Sequence, residues 1–508
     1  MFQSPPRPLS WAKLLTAAVL ASLWASPALA LDSFMVSPRA LGMAGANVAS
    51  TSDTSAQYYN PAAFGFFGCR DSKGNKLACD NNDIGRKNWG MDLSATAGYK
   101  MHNDFGIYLD DLADIDHDLL SSAGINTEND LRNLISLMRN LDGLDDPGNA
   151  VTANLNAGLG VRFGNFAIGG RAYAQANGQV LDIDETNLGI TGGGDLNTQI
   201  ESIALTGTLD GIQLFSQAQV DQLRAAGLSL AAIERLDFLA RGEGVEANQI
   251  QGTTDLLAQL ADQSLNGGGA LENNTTTVAL RGFAVAEIPL SYGRALNDNW
   301  AVGANLKLMR GRVYGTDVVV FNEDSGDILA EADEDFEESN NLGLDVGIMG
   351  RYQMVNLGVV GRNLNAPSFD GFSKQKLLST GALRTVQADS VTLDPQVTVG
   401  VALIPTETLT LETNYDLTKN KTVFPDYHTQ NLAFGLEWDA GRVLALRAGA
   451  YKNLAEKDIE WVYTAGLGLN LWGARFDLAG AMSEQKTSFD GDDVPNEAQL
   501  SAQLSLDF

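Results

Sequence analysis

From residue 89 onward, apolar and polar side chains alternate in segments of roughly ten residues, the length a tilted strand needs to cross a membrane. Between Leu409 and Leu417 the positions Leu409, Leu411, Thr413, Tyr415 and Leu417 share one face, and Thr410, Glu412, Asn414 and Asp416 share the other. The last segment repeats the pattern: Ala502, Leu504, Leu506 and Phe508 oppose Ser501, Gln503, Ser505 and Asp507. A strand with one face in lipid and one in a polar lumen has this period. A soluble sheet with one wet face has it too, so alternation alone does not choose between them.

The pattern predicts fourteen strands, at 89–100, 153–163, 166–177, 276–293, 299–314, 341–352, 355–363, 393–404, 407–417, 428–438, 443–451, 461–470, 473–484 and 497–508. The connections alternate in length. Short ones (Gly164-Asn165, Arg294 to Asp298, Gln353-Met354, Pro405-Thr406, Asp439 to Arg442, Leu471-Trp472) separate long ones at 101–152, 178–275, 315–340, 364–392, 418–427, 452–460 and 485–496. Bacterial outer-membrane barrels have short periplasmic turns and longer external loops. A soluble sandwich has no reason to keep that parity. The expectation is an all-β fold, a closed antiparallel outer-membrane β-barrel of about fourteen strands spanning 89–508.

Two of the long loops carry helical periodicity. In 129–141, Leu131, Leu134, Ile135 and Met138 share a face; in 178–275 one segment holds Val220 and Leu223, and a second, after Ser229, holds Ile233 and Leu236. These eight residues either pack on one another as a cap over the barrel or line a surface groove for a hydrophobic ligand, since ligand sites are mostly apolar. Trp89, Tyr99, Trp300, Trp438, Tyr451, Trp461 and Trp472 stand near strand ends and are candidates for interfacial girdles. Asp92, Arg162, Arg171, Arg281, Glu287, Lys307, Asp345, Glu412, Asp416, Glu437, Arg447 and Asp477 are expected to face the lumen, because lipid would reject them at a cost of about 2–4 kcal/mol near the midplane. There they either pair with one another and with a plug or line a polar conduit.

The chain ends agree with this picture. Arg7 and Lys13 flank the start of an apolar run from Leu14 to Ala25 that leads to Ala28-Leu29-Ala30, the form of a cleaved secretory signal at 1–30. No Cys follows that site to carry a lipid anchor, and no later run offers about 18 apolar residues for a membrane helix. A terminal aromatic residue, Phe508, resembles the ends of bacterial outer-membrane barrels, whose assembly machinery reads that terminus. The net charge of −29 excludes nucleic acid as a partner by repulsion of its phosphates. Cys69 and Cys79 are expected to form a disulfide closing a short loop in an exported chain. Two thiols do not fill a structural zinc site.

Residues 31–88 precede the first strand and form the expected N-terminal plug, the alternative being a periplasmic extension on the barrel mouth. They contain Ser37-Pro-Arg-Ala-Leu-Gly-Met-Ala-Gly-Ala-Asn47 and Tyr58-Tyr-Asn-Pro-Ala62. This combination resembles the long-chain fatty-acid transporter (FadL-type) superfamily, whose fourteen-stranded barrels carry an N-terminal plug with an Asn-Pro-Ala signature; Asn60, Pro61 and Ala62 match it. Within that group, Gly361-Arg-Asn-Leu-Asn-Ala-Pro-Ser-Phe369 is most similar to the barrel family named conjugal transfer protein TraF. That name is shared with an unrelated thioredoxin-like protein, whose Cys-x-x-Cys motif is missing here. The resemblance implies either passage or binding of a hydrophobic small molecule, or a non-transport role in an envelope assembly such as conjugal transfer. Outer-membrane lipid, a hydrophobic small molecule and envelope or conjugation proteins are the corresponding partners.

Catalytic chemistry is thinly represented. His102, His117 and His428 are the candidate imidazole bases, and none sits in a recognisable Ser or Asp motif. Asp114-x-Asp116-x-Asp118 departs from a calcium loop, with Leu119 where the turn needs Gly and Ile125 where it needs Glu. The acidic run Glu331 to Glu338 reads as a solvated loop. No enzyme activity, metal or cofactor is expected.

Overall fold

A computed structural model describes residues 34–67, 89–113, 115, 124–145, 148–184, 187, 194–266, 274–319, 335–377, 383–422, 424, 427–471, 473–489 and 492–507. The expected signal peptide, Cys69, Cys79, the Asp114–Asp118 motif, His117 and Trp472 lie outside the described residues.

Fourteen antiparallel strands close into a barrel: β1 (Trp89–His102), β2 (Ala150–Phe163), β3 (Phe166–Asp182), β4 (Thr277–Ala295), β5 (Trp300–Val319), β6 (Phe336–Tyr352), β7 (Val355–Arg362), β8 (Gln396–Thr406), β9 (Leu409–Asp416), β10 (Asn431–Ala440), β11 (Leu444–Asn453), β12 (Val462–Leu471), β13 (Ala474–Ser483) and β14 (Glu497–Asp507). Each pairs with its neighbours in sequence, and β1 closes the ring on β14 with Ala95 opposite Ala502. All fourteen predicted strands are present. Several run longer than the pattern suggested, because β4, β5 and β6 continue as a paired ribbon to Val319 and back from Phe336. Phe336 to Glu338, read above as solvated loop, therefore belong to β6.

Side-chain alternation follows the pleat. On β1, Leu93 points outward while Asp92, Ser94 and Thr96 are buried inside; on β9, Leu411 is outside and Glu412, Asn414 and Asp416 inside. Outward aromatics cluster near the short turns: Phe163, Phe166, Tyr292, Trp300, Tyr352 and Trp438. Of the expected girdle residues, Tyr451 is instead buried inside the barrel, hydrogen-bonded by Gln499 and to Glu497, because it stands on an inward register position of β11. Tight turns join the strands at that rim; Gly164, at φ 55°, supplies the left-handed backbone between β2 and β3. Among the described residues no helix is long and apolar enough to cross a membrane.

The opposite rim carries the long connections. Helices α3 (Phe105–Ala113) and α4 (Glu128–Asp145) follow β1, and α5 (Leu196–Ser202), α6 (Gln217–Ala225), α7 (Leu230–Gly242) and α8 (Ile250–Asn266) follow β3. Local signals start several of them: Asp195 and Ser229 cap α5 and α7, and Ser216 with Gln219 forms a capping box at α6. Two short helices precede the barrel, α1 (Pro38–Gly42), capped by Ser37, and α2 (Ala56–Tyr59).

Candidate functional site

The segment 34–67 lies inside the barrel, as a plug whose backbone is held by lumen-facing side chains. Ser94 and Thr96 of β1 donate to the carbonyls of Val36 and Met35, Asn356 of β7 to Ala49, Asn414 of β9 to Gly45 and Thr464 of β12 to Gly42. Glu412 accepts the Ala49 N–H at 2.8 Å. A buried backbone that pairs with the wall in this way leaves few polar groups stranded.

Asn60, Pro61 and Ala62 form the seat of this plug. The Asn60 amide donates to Val48 O at 3.0 Å and to Ile348 O of β6 at 3.1 Å, and its own oxygen accepts the Ala62 N–H, capping the 3₁₀ turn Pro61–Phe66. Beneath it, Gly293, Gly303 and Gly347 are direct register partners across β4, β5 and β6. A Cβ on Gly303 would stand 2.3 Å from Pro61 C and O, and one on Gly347 2.1 Å from Asn60 Oδ1. This glycine row lets the turn approach the wall backbone, and sequence reading did not single it out.

Charges then tie plug to wall. Arg39 lies against Glu437 at 2.9 Å, Arg447 joins Glu437 at 2.6 Å to Asp477 at 2.7 Å, and Arg475 meets Asp477 at 2.9 Å. Lys307 pairs with Asp345 at 2.9 Å and reaches Glu287 at 3.7 Å. All twelve residues expected in the lumen face it, and those of these networks are paired. At the rim of short turns a polar vestibule of about 640 Å³ opens between the plug and the turns, lined by Asp53, Asp92, Arg162, Arg351 and Arg475 among others. Arg162 and Arg351 stack on the plug's Phe67 and Phe66, 4.1 and 4.5 Å from the ring centroids.

Toward the rim of long connections the lumen changes character. Phe34, Val36 and Tyr59 of the plug, Tyr173, Phe283, Val285, Met309 and Val313 of β3–β5, and Phe369, Phe372, Val391 and Leu393 of the β7–β8 connection form one buried apolar cluster. Phe34 and Tyr58 flank Tyr173 at 5.1 and 6.1 Å, and Phe369 packs on Phe283 at 5.1 Å. A cavity of about 40 Å³ remains among Phe34, Tyr58, Tyr173, Met309 and Arg362. Arg362 is buried, lies 4.3 Å over the Tyr58 ring, and its Nε has no hydrogen-bond partner. The open space is about the size of one water, and Glu287, Lys307, Asn363 and Gln396 line it together with Arg362 and the aromatic rings, so an apolar solute fits only if the packed side chains part.

The segment Gly361–Phe369 builds one side of this chamber. Asn363, at φ 52°, turns the chain inward; its N–H donates to Asp345 and its side chain accepts from Lys307. Asn365 bridges the β6 backbone, accepting from Leu344 N and donating to Leu342 O, and Phe369 arrives fully buried.

The eight apolar residues of the long-loop helices pack on one another, the first of the two readings. Leu131, Leu134, Ile135, Met138, Val220, Leu223, Ile233 and Leu236 are all buried in one core that joins α4 to α5–α8. Their faces are turned on one another, because two loops each carrying an unpartnered apolar stripe bury most area by meeting. Asp237, fully buried among them, accepts from the N–H groups of Gln213, Leu214 and Phe215 and pairs with Arg241. On the cap surface, Thr206 hydrogen bonds and Arg132 hold the Glu128 carboxyl down at about 2.

The structure also brings together a trio that sequence spacing hid. His102 at the end of β1 lies between Thr152 Oγ1 and Asp458 Oδ2, each at 2.9 Å. The order is that of a nucleophile triad, but Thr152 and His102 are both buried and Phe424 and Tyr427 pack on the imidazole. It acts as a strut between external loops.

Comparison with known proteins follows this geometry. A model of the family described as "F plasmid transfer operon, TraF, protein" matches residues 57–416, from the plug to the end of β9. The chain belongs to that family. No curated protein is matched. Among solved structures it is similar to the toluene transporter TbuX of Ralstonia pickettii (11% identity, 94% of this chain and 99% of that one, TM-score 0.46). It is also similar to the toluene transporter TodX of Pseudomonas putida (10%, 94% and 98%, 0.45) and to a FadL homologue of Pseudomonas aeruginosa (11%, 94% and 98%, 0.42).

Proposed function

We propose that this TraF-family protein is an outer-membrane barrel that binds small hydrophobic molecules in its aromatic chamber and passes them toward the periplasmic vestibule. The observation that carries the reading is the chamber itself: a buried apolar cluster enclosed by plug, wall and an inturned loop, beside the unpartnered Arg362 Nε. Apolar burial of this extent provides the affinity for an apolar solute, at about 25 cal/mol per Å² of area removed from water. The external cap is closed on its own core, so capture belongs to the chamber and not to the cap helices. Binding and passage both require the plug to shift, since Phe34 and Tyr58 of the plug wall the chamber and leave about 40 Å³ open.

The test is uptake of radiolabelled hydrophobic compounds by cells with and without the protein. A Met309→Trp variant fills the chamber from the wall. Protein-dependent uptake that falls at least about fivefold in a folded Met309→Trp barrel supports the reading; uptake independent of the protein, across neutral aromatics and long-chain carboxylates, overturns it.

The family's description favours a second reading, a non-transport component of an envelope assembly for conjugal transfer. Under it, deletion lowers mating frequency and leaves uptake unchanged.

A further inference from the structure

The lipid-facing wall carries a second feature, independent of the chamber. Outward positions below it on β2, β4, β5 and β6 are large and apolar: Leu159, Ile288, Leu308 and Leu342. One step further toward the external rim the side chains shrink. Ala157, Ala172 and Ala286 are successive register partners, as are Leu155, Ala174 and Ala284, and both rows end on β5 at arginines, Arg310 and Arg312. The result is an open groove of about 360 Å³ on the outside of the barrel, with two guanidinium groups along one edge.

Those arginines stand where lipid should be. Arg310 is ten positions beyond the girdle residue Trp300 on β5; at about 3.3 Å per residue and about 40° tilt, that is about 25 Å, the height of the apolar band. The groove mouth therefore sits at the external headgroup level. Arg310 and Arg312 share the single carboxylate of Glu338, and their side chains remain 61% and 40% exposed. One acid between two cations leaves a net positive charge, on a chain whose total is −29.

We propose that this groove is a binding site for a phosphate-bearing, acylated lipid of the external leaflet, with the acyl chain along the alanine rows and the phosphate on Arg310 and Arg312. Guanidinium groups match phosphate in geometry as well as charge. An apolar floor beside a cationic rim is complementary to an amphiphile, whereas a free phosphate would use the rim alone.

Native mass spectrometry of the full-length, detergent-purified barrel titrated with diphosphoryl lipid A, and with the same lipid stripped of its phosphates, tests the site. Wild type should retain one phosphorylated lipid at least tenfold more tightly than the stripped one. The Arg310→Gln/Arg312→Gln pair should abolish that preference, and Ala284→Leu, with both arginines intact, should weaken retention about tenfold by filling the groove. Heat-modifiable electrophoretic mobility reports barrel closure; should the double variant fail to close, Arg310→Lys/Arg312→Lys and Ala284→Leu carry the test. Equal retention of the two lipids, retention unaffected by Ala284→Leu, or a lipid-free dimer in place of the lipid-bound monomer would overturn the proposal.

Discussion

At the scale of single residues, the plug is positioned by what the wall omits. Gly293, Gly303 and Gly347 present bare backbone to the Asn60-Pro61 turn, and Asn60 uses that access to reach Ile348 O. Gly303→Val should unseat the turn, since its Cβ alone would overlap Pro61; overpacking costs about 1–3 kcal/mol. Asn60→Ala should cost a similar amount by stranding buried carbonyls and losing a cap, about 1–3 kcal/mol. Limited proteolysis within 34–67 checks both: cleavage should rise while the barrel stays closed, and a plug as protected as in wild type would show that the seat is not there. Asn60, Pro61 and Ala62 were legible in the sequence through their resemblance to a known signature. The glycines opposite them were visible as letters but not as a row, because register across three strands depends on how the ring closes.

Among the elements, the cap shows how one periodicity serves two readings. Leu134 and Ile135 were legible as one apolar face of a helix; that the face meets α5–α8 and not a ligand depends on a contact between two loops far apart in sequence. Leu134→Asp with Ile135→Asp should therefore unfold the cap, each carboxylate costing about 3–5 kcal/mol through lost packing and desolvation. Loss of helical circular dichroism from a barrel that still resists heat in the gel is the expected result; unchanged helicity would restore the groove.

Acid acts on the same cap through Glu128. Its folded pKa of about 2 lies below the ordinary 4.5, so its contribution is complete above pH 4.5 and is lost as pH falls from there through about 2. Helical signal should be less acid-sensitive across that window in Glu128→Gln, which starts lower and has no carboxylate left to protonate. Identical acid profiles for the two proteins would remove Glu128 from the account.

The whole molecule divides along the barrel axis into a charged half toward the short turns and an aromatic half toward the long connections, with the plug passing through both. That division supports the transport reading, and the uptake ratio for Met309→Trp belongs to this scale, because the chamber draws on the plug, three strands and the β7–β8 connection at once. Phe34, Tyr173 and Phe369 are far apart in the chain and carry no shared motif. Gly361–Phe369 and Tyr58–Ala62 pointed toward this region as resemblances, and Glu287 and Lys307 as lumen charges, without marking a shared chamber.

By itself the sequence determined the strand number, the alternation of faces, the parity of short and long connections and the inward placement of twelve charged residues. Each of these is local or counts along the chain: period two, roughly ten residues per crossing, and the high cost of charge in lipid. Tertiary structure decided where those pieces meet. Ring closure aligned three glycines under Asn60, loop-to-loop packing closed the cap, and an inturned connection made the chamber, because contacts between distant segments are selected by shape and burial over the whole molecule and leave no period in the chain.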